Sequence, residues 1–154
     1  MISLFIRRGT VADAEVVVEF NACMARETEG IELDRATLTD GVRQVLSDES
    51  RGLYFVAEVE ERVVGQLMLT YEWSDWRNGW IWWIQSVYVH PDFRRAGVFT
   101  ALNQHVAQVA RAAGVKGIRL YVDAHNLAAQ ETYRRLGMTV SNYLLFERVP
   151  LDAT

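Results

Sequence analysis

Three β-rich runs follow one another through the middle of this chain with only short polar breaks, and after them the apolar period changes to that of a helix. Leu53 to Val59 and Val63 to Trp73 are joined by Glu60-Glu61-Arg62, a break that predicts a hairpin. Ser74-Asp75-Trp76-Arg77-Asn78-Gly79 is a second turn carrying a favoured Asn-Gly pair, and it leads into Trp80 to Val89, a run that Pro91 ends. These runs predict an antiparallel meander. From Val98 the pattern differs: Val98, Leu102, Val106 and Val109 form one helical stripe, Gly114 stops it, and Ile118 to Val122 is a short strand. A strand, a crossing helix and a further strand imply parallel pairing. The expected fold is thus α/β (α+β), a mixed central sheet with an antiparallel N-terminal half and parallel middle strands.

The flanking segments complete this plan. Ser3 to Arg8 reads as a first strand stopped by Gly9, and Thr10 with Asp13 resembles a capping box opening a helix to about Ala25. Arg26-Glu27-Thr28-Glu29-Gly30-Ile31 reads as a charged loop. Asp34 can cap a second helix with Leu38, Val42 and Val45 on one face. A last helix over Leu127 to Leu136 carries Ala129, Tyr133 and Leu136, Gly137 suits its C-cap, and Met138 to Arg148 reads as a closing strand. About four helices result.

The length of 154 residues with half of them apolar suits one domain over 1–154 with its own core, and no linker composition interrupts it. The lone Cys23 excludes an internal disulfide, and His105 and His125 lack paired ligand spacing, so no metal is expected. No apolar run approaches the ~18 residues a membrane helix needs, and no signal peptide is visible, which predicts a cytoplasmic protein without a membrane partner. Sixteen basic against twenty acidic residues, net −4, argue against nucleic-acid binding.

The most informative stretch is Ser86-Val87-Tyr88-Val89-His90-Pro91-Asp92-Phe93-Arg94-Arg95-Ala96-Gly97-Val98-Phe99-Thr100. Here a strand enters a tight turn that opens a helix, whose first N–H groups and dipole favour an anion. Gly97 permits close approach of a phosphate, and Arg94 and Arg95 add donors suited to it. The plainer alternative is a helix start with two solvated arginines. The turn is neither a Walker A loop nor a three-glycine dinucleotide fingerprint.

Val87-Tyr88-Val89-His90-Pro91 followed by Arg94-x-x-Gly97-x-Phe99-Thr100 resembles the acetyl-coenzyme A signature of the GNAT superfamily of N-acetyltransferases. Asn126-x-x-Ala129-x-x-x-Tyr133-x-x-x-Gly137-Met138 is similar to that family's second signature, in the right order and separation. Phe99 departs from the pattern, which usually has a small residue there. The resemblance implies a GNAT-type sheet with splayed parallel middle strands, acetyl-CoA as co-substrate, and direct transfer of acetyl to a primary amine of a small molecule or peptide. It assigns the pyrophosphate to the turn at Arg94, Arg95, Ala96, Gly97, Val98, Phe99 and Thr100. It assigns the pantetheine arm to Val87, Tyr88 and Val89 by β-augmentation, with Asn126 and Ala129 beside it. Homodimers also occur in the family.

Amine attack on a thioester builds charge on the carbonyl oxygen, for which the Val89 N–H is the candidate donor. Tyr133 is the candidate acid for the departing thiolate. The base is less defined. Members resembling spermidine/spermine acetyltransferases carry a glutamate where this chain has Gln85, and Gln85 cannot take a proton. Glu72 is the candidate catalytic carboxylate, with Glu27, Glu29 and Asp75 as others, and each can also be an ordinary surface acid. All five tryptophans lie between Trp73 and Trp83, with Trp80 and Trp82 facing one way and Trp83 the other. They fill the core, or Trp73 or Trp76 walls a cationic acceptor site together with Glu72, Asp75, Glu27 and Gln85. Polyamine acetylation and a non-catalytic acyl-CoA sensor remain alternatives. Cys23, in an apolar helical stretch, reads as buried and unactivated.

Overall fold

The computed structural model describes residues 2–152 and divides into two compact units, one up to Tyr121 and one from Val122 onward. In the first unit the sheet runs β1 (Phe5–Arg8), β2 (Leu53–Val59), β3 (Arg62–Ser74), β4 (Gly79–Val89), β5 (Gly117–Leu120), in that spatial order. The first three pairings are antiparallel and β4–β5 is parallel. Helices α1 (Ala14–Glu29), α2 (Arg35–Ser47) and α3 (Val98–Ala112) complete the unit. This is the mixed sheet that the change of apolar period predicts.

Each face of the sheet has its own core. On one face, Val98, Leu102 and Val106 of α3 pack on Phe55, Ala57, Leu67, Leu69 and Ile84. Each leucine fully buried there contributes roughly 1.5–3 kcal/mol. The helix keeps the predicted stripe except at its end, where Val109 is half-buried and Ala110 takes the buried place. On the other face, Ala14, Val17 and Val18 of α1 meet Val42 of α2 over Tyr54.

Local chemistry fixes the ends of these elements. Glu60 and Glu61 both take positive φ between the paired Val59 and Arg62, giving the tight primed turn that suits strand twist. Asp34 accepts the Thr37 N–H at 2.9 Å and caps α2. Asp13 accepts the Thr10 N–H at 2.8 Å and two bonds from Arg7, at 2.7 and 2.8 Å, while Arg7 also donates to Glu58. One guanidinium thereby ties β1 to β2 and to the start of α1, and it holds the Asp13 carboxyl below its ordinary range.

Three expectations need correction. A single 3-10 turn over Val11–Asp13 precedes α1, which then passes Ala25 and ends only at Gly30 with φ +66°. The segment read as a charged loop is therefore a last helical turn with a solvated face. Strand β5 is Gly117–Leu120 rather than Ile118 to Val122. In the second unit, α4 (Leu127–Arg135) forms as expected, but no strand forms over Met138 to Arg148. A strand needs a neighbour to take its N–H and C=O groups, and none pairs with this segment among the described residues.

Candidate active site

The site grows from a defect in the β3–β4 ladder. Met68 pairs with Gln85 and Gln66 with Tyr88, so Ser86 and Val87 share a single opposite residue, Leu67. Ser86 takes φ +51° at this bulge. The extra residue reverses the strand's alternation. Before it, Trp82 and Ile84 face α3; after it, Val87 and Val89 do so, while Tyr88 turns to Phe20 of α1, ring centroids 5.0 Å apart. Main-chain direction changes in step. His90 donates its N–H to Val64 O at 2.8 Å, so Tyr88 and His90 bond toward β3 and the groups of Val87 and Val89 face the other edge. On that edge β5 pairs only with Ile81–Ile84. Beyond it no strand lies against Val87–Val89 among the described residues, which is the splay expected of the middle strands.

The turn follows directly. His90 Nδ1 accepts the Asp92 N–H at 3.2 Å, which fixes a short 3-10 turn over Pro91–Phe93. Arg95 and Gly97 have φ of +62° and +81°, and α3 starts at Val98, which is buried and anchors the turn to the core. Ala101 donates to Gly97 O at 3.0 Å, and the N–H groups of the helix's first turn point off its end. A Cβ on Gly97 would meet no atom within 4 Å, so the space over the turn is open. Phe99 packs against the α3-side core, so its bulk lies away from that space.

Arg94 links this turn to α1. Its Nε donates to Val89 O at 2.9 Å, its Nη2 to Glu27 Oε2 at 2.7 Å, and its guanidinium lies 5.3 Å from the centre of the Tyr88 ring. The Tyr88 hydroxyl donates to the other Glu27 oxygen at 3.1 Å, and burial followed by this carboxylate pushes its pKa up to about 12. Glu27, expected on the acceptor side, is thus brought together with two residues of the coenzyme signature.

The α1-side face of β3, β4 and β5 carries a second cluster. Glu72 accepts from Trp83 Nε1 at 3.0 Å and from Arg119 Nη1 at 2.9 Å, and Trp83 lies against Tyr121 at 4.6 Å between ring centroids. Gln85 donates to the Thr70 hydroxyl beside them. Trp73 is not part of this group. It packs with Trp80 at 5.1 Å on the opposite face, so the pocket expected of Trp73 beside Glu72 does not form and Trp83 is the aromatic neighbour of Glu72. Trp76 stands exposed at the tip of the β3–β4 turn, where Asp75 accepts its N–H at 2.8 Å. Arg119 and Tyr121 were not legible as site residues, because only the parallel register, Trp83 opposite Arg119, brings them here.

In the second unit Asn126 caps α4, its Oδ1 accepting the Ala129 N–H at 3.1 Å. Tyr133 stands one turn beyond Ala129, and burial keeps its phenol above the ordinary value and hence protonated at neutral pH. Cys23 is half-buried rather than buried, its Sγ 3.5 Å from Glu19. No group of three metal-ligating side chains occurs among the described residues, and no described helix is long and apolar enough to cross a membrane.

The profile of the acetyltransferase (GNAT) family matches residues 16–138, across both compact units. A possible acetyltransferase from Clostridium difficile 630 is 42% identical, with 96% of this chain and 97% of that one covered at a TM-score of 0.89. A predicted acetyltransferase with acetyl-CoA from Clostridium acetobutylicum shares the fold at 16% identity and a TM-score of 0.79, covering 99% of this chain and 100% of that one. An uncharacterized N-acetyltransferase of Methanocaldococcus jannaschii is 34% identical over 54% of this chain and 38% of its own length. A thialysine N-epsilon-acetyltransferase of Bos taurus is 32% identical over 49% and 44%. The chain spans less than half the length of these two curated relatives. With the family profile spanning most of its length and a relative of 42% identity covered almost end to end, the chain belongs to the GNAT acetyltransferases.

Proposed function

We propose that this chain is an acetyl-CoA-dependent N-acetyltransferase that passes acetyl directly to a primary amine of a small molecule or peptide. The observation that carries the reading is the phase shift at Ser86. It turns the N–H and C=O of Val87 and Val89 to a strand-free edge that ends at an open, positively charged helix start. That edge suits the amide-rich pantetheine arm, and the turn from Arg94 to Thr100 suits the pyrophosphate. Asn126, Ala129 and Tyr133 are assigned to the same coenzyme by their match to the second signature.

In this reading the Val89 N–H stabilises the oxyanion as the amine adds to the thioester carbonyl. The C–N bond forms, the C–S bond breaks, and the protonated Tyr133 hydroxyl supplies the proton to the departing thiolate. Glu72 receives, directly or through water, the proton that the ammonium sheds to become the attacking amine, with Gln85 on the same sheet face holding the acceptor. The second nitrogen proton, lost as the tetrahedral adduct collapses, returns to the Tyr133 oxygen through water. Trp83 and Tyr121 offer aromatic faces to a cationic amine. Trp76 adds a further aromatic wall at the turn. A polyamine or diamine acceptor is the second reading, favoured by the carboxylates Glu72, bonded to Trp83, and Glu27, bonded to Tyr88. An acyl-CoA sensor without turnover is the third. We also propose a homodimer, supported by the exposed Val140, Tyr143, Leu144 and Phe146 of the unpaired C-terminal segment.

The test is steady-state release of free thiol from acetyl-CoA with a panel of amino acids bearing side-chain amines, polyamines and peptides. Thiol release that depends on one amine class supports transfer and names the acceptor. Coenzyme binding with no release for any amine points to the sensor.

A further inference from the structure

Beneath the β4 bulge lies a buried polar group that packing alone does not require. Gln66 on β3 is fully buried; its Nε2 donates to Asn21 Oδ1 of α1 and to Ser86 O, both at 3.1 Å. Asn21, itself buried, donates to the Tyr54 hydroxyl at 3.1 Å, and that hydroxyl also bonds the Ser86 side chain. Gln66 Oε1 has no hydrogen-bond partner among the described residues. An orphaned buried acceptor destabilises a fold, as does a non-glycine residue at positive φ, and here the two coincide. A leucine at 66 would bury as well and carry no orphaned acceptor of its own, but it would take the donor away from Asn21 Oδ1 and Ser86 O.

We propose that Gln66, itself held by Asn21 and Tyr54, is the positioning residue that keeps Ser86 in its left-handed conformation, and so decides which edge the amides of Val87 and Val89 face. The carboxamide bonds the carbonyl of the bulged residue itself. Without the bulge, alternation from Gln85 would aim Val87 back at β3 and swing Tyr88 away from Phe20 and Glu27. The clamp thus connects α1 to the phase of the strand that presents the coenzyme edge. Its bearing on catalysis rests on the function proposed above; its bearing on Ser86 does not.

The experiment compares wild type with Gln66→Leu by backbone NMR of the free protein, thermal melting and calorimetric titration with acetyl-CoA. Gln66→Leu should shift Ser86 from positive to extended φ in its scalar couplings and carbon shifts, and it should melt lower because Asn21 Oδ1 and Ser86 O lose a buried donor. Acetyl-CoA affinity should fall by about tenfold, the scale of a buried hydrogen bond. A positive φ retained at Ser86 in Gln66→Leu overturns the proposal. Val106→Ala is the control, since it weakens the α3-side core, to which Gln66, Asn21 and Tyr54 do not belong. It should melt lower yet leave Ser86 unchanged, and loss of the Ser86 signature there would also overturn the proposal. If Gln66→Leu does not fold, Tyr54→Phe carries the same test with its ring retained. Wild type that shows positive φ at Ser86 but no coenzyme binding would refute the proposed function while the clamp is still decided by the Ser86 readout.

Discussion

Replacing Gly97 with alanine separates the cost of the turn from the cost to a ligand. Gly97 sits at φ +81°, where a Cβ costs about 1–2 kcal/mol in backbone strain. That Cβ would meet no protein atom within 4 Å, so no clash adds to the strain. For a domain of this size each 1 kcal/mol lowers the melting temperature by roughly 2–4 °C, which predicts a loss of about 2–8 °C. The open space is where the pyrophosphate must approach the backbone if the turn is its site, and a methyl there holds the anion off the N–H groups. Calorimetric titration should therefore show acetyl-CoA affinity falling by at least about tenfold, because donors to a charged group are worth ~1.5–3 kcal/mol. Gly97→Asn, which tolerates positive φ better, should recover most of the stability and none of the affinity. Unchanged affinity in Gly97→Ala would refute the placement of the phosphates. A much larger melting loss would refute the openness of the turn.

Tyr133→Phe should lower kcat by roughly 10²-fold or more and leave acetyl-CoA affinity within a few-fold, as loss of a general acid does; steady-state kinetics beside calorimetry checks it. Gly65→Ala would bring a Cβ within 2.8 Å of Val98 Cγ1 and should cost about 1–3 kcal/mol by overpacking, read in urea unfolding. Arg7 holds the Asp13 carboxyl below its ordinary value of 3.8, so this pair's stabilisation is complete above that value and is lost as pH falls through the lowered folded value. Melting curves should accordingly drop below about pH 4, and Asp13→Asn should flatten that limb while costing about 2 kcal/mol at neutral pH.

Much of the fold was legible because period and punctuation carry it. The polar break at Glu60-Glu61, the Asn78-Gly79 turn, the Asp34 cap and the stripe from Val98 all act locally, and local chemistry decides them. The end of α1 was misread because Arg26 to Glu29 are charged, and a solvated helical turn has the same composition as a loop. The closing strand was misread because strand propensity is satisfied only by a neighbouring edge, which composition does not reveal. At the site, the turn around Gly97 was readable from its residues. The bulge was not, since Ser86 resembles any strand serine and its positive φ depends on Gln66, Asn21 and Tyr54 from three other elements. The Glu72–Trp83–Arg119 cluster needed the parallel register as well as the sequence.

Calorimetric titration of the wild-type chain with acetyl-CoA, free CoA and ATP tests the central claim most directly. The strand edge at Val87–Val89 predicts micromolar binding of both coenzyme forms and none of ATP, which has phosphates but no pantetheine arm. Equal binding of all three would reduce the site to a phosphate turn, and binding of none would contradict the account.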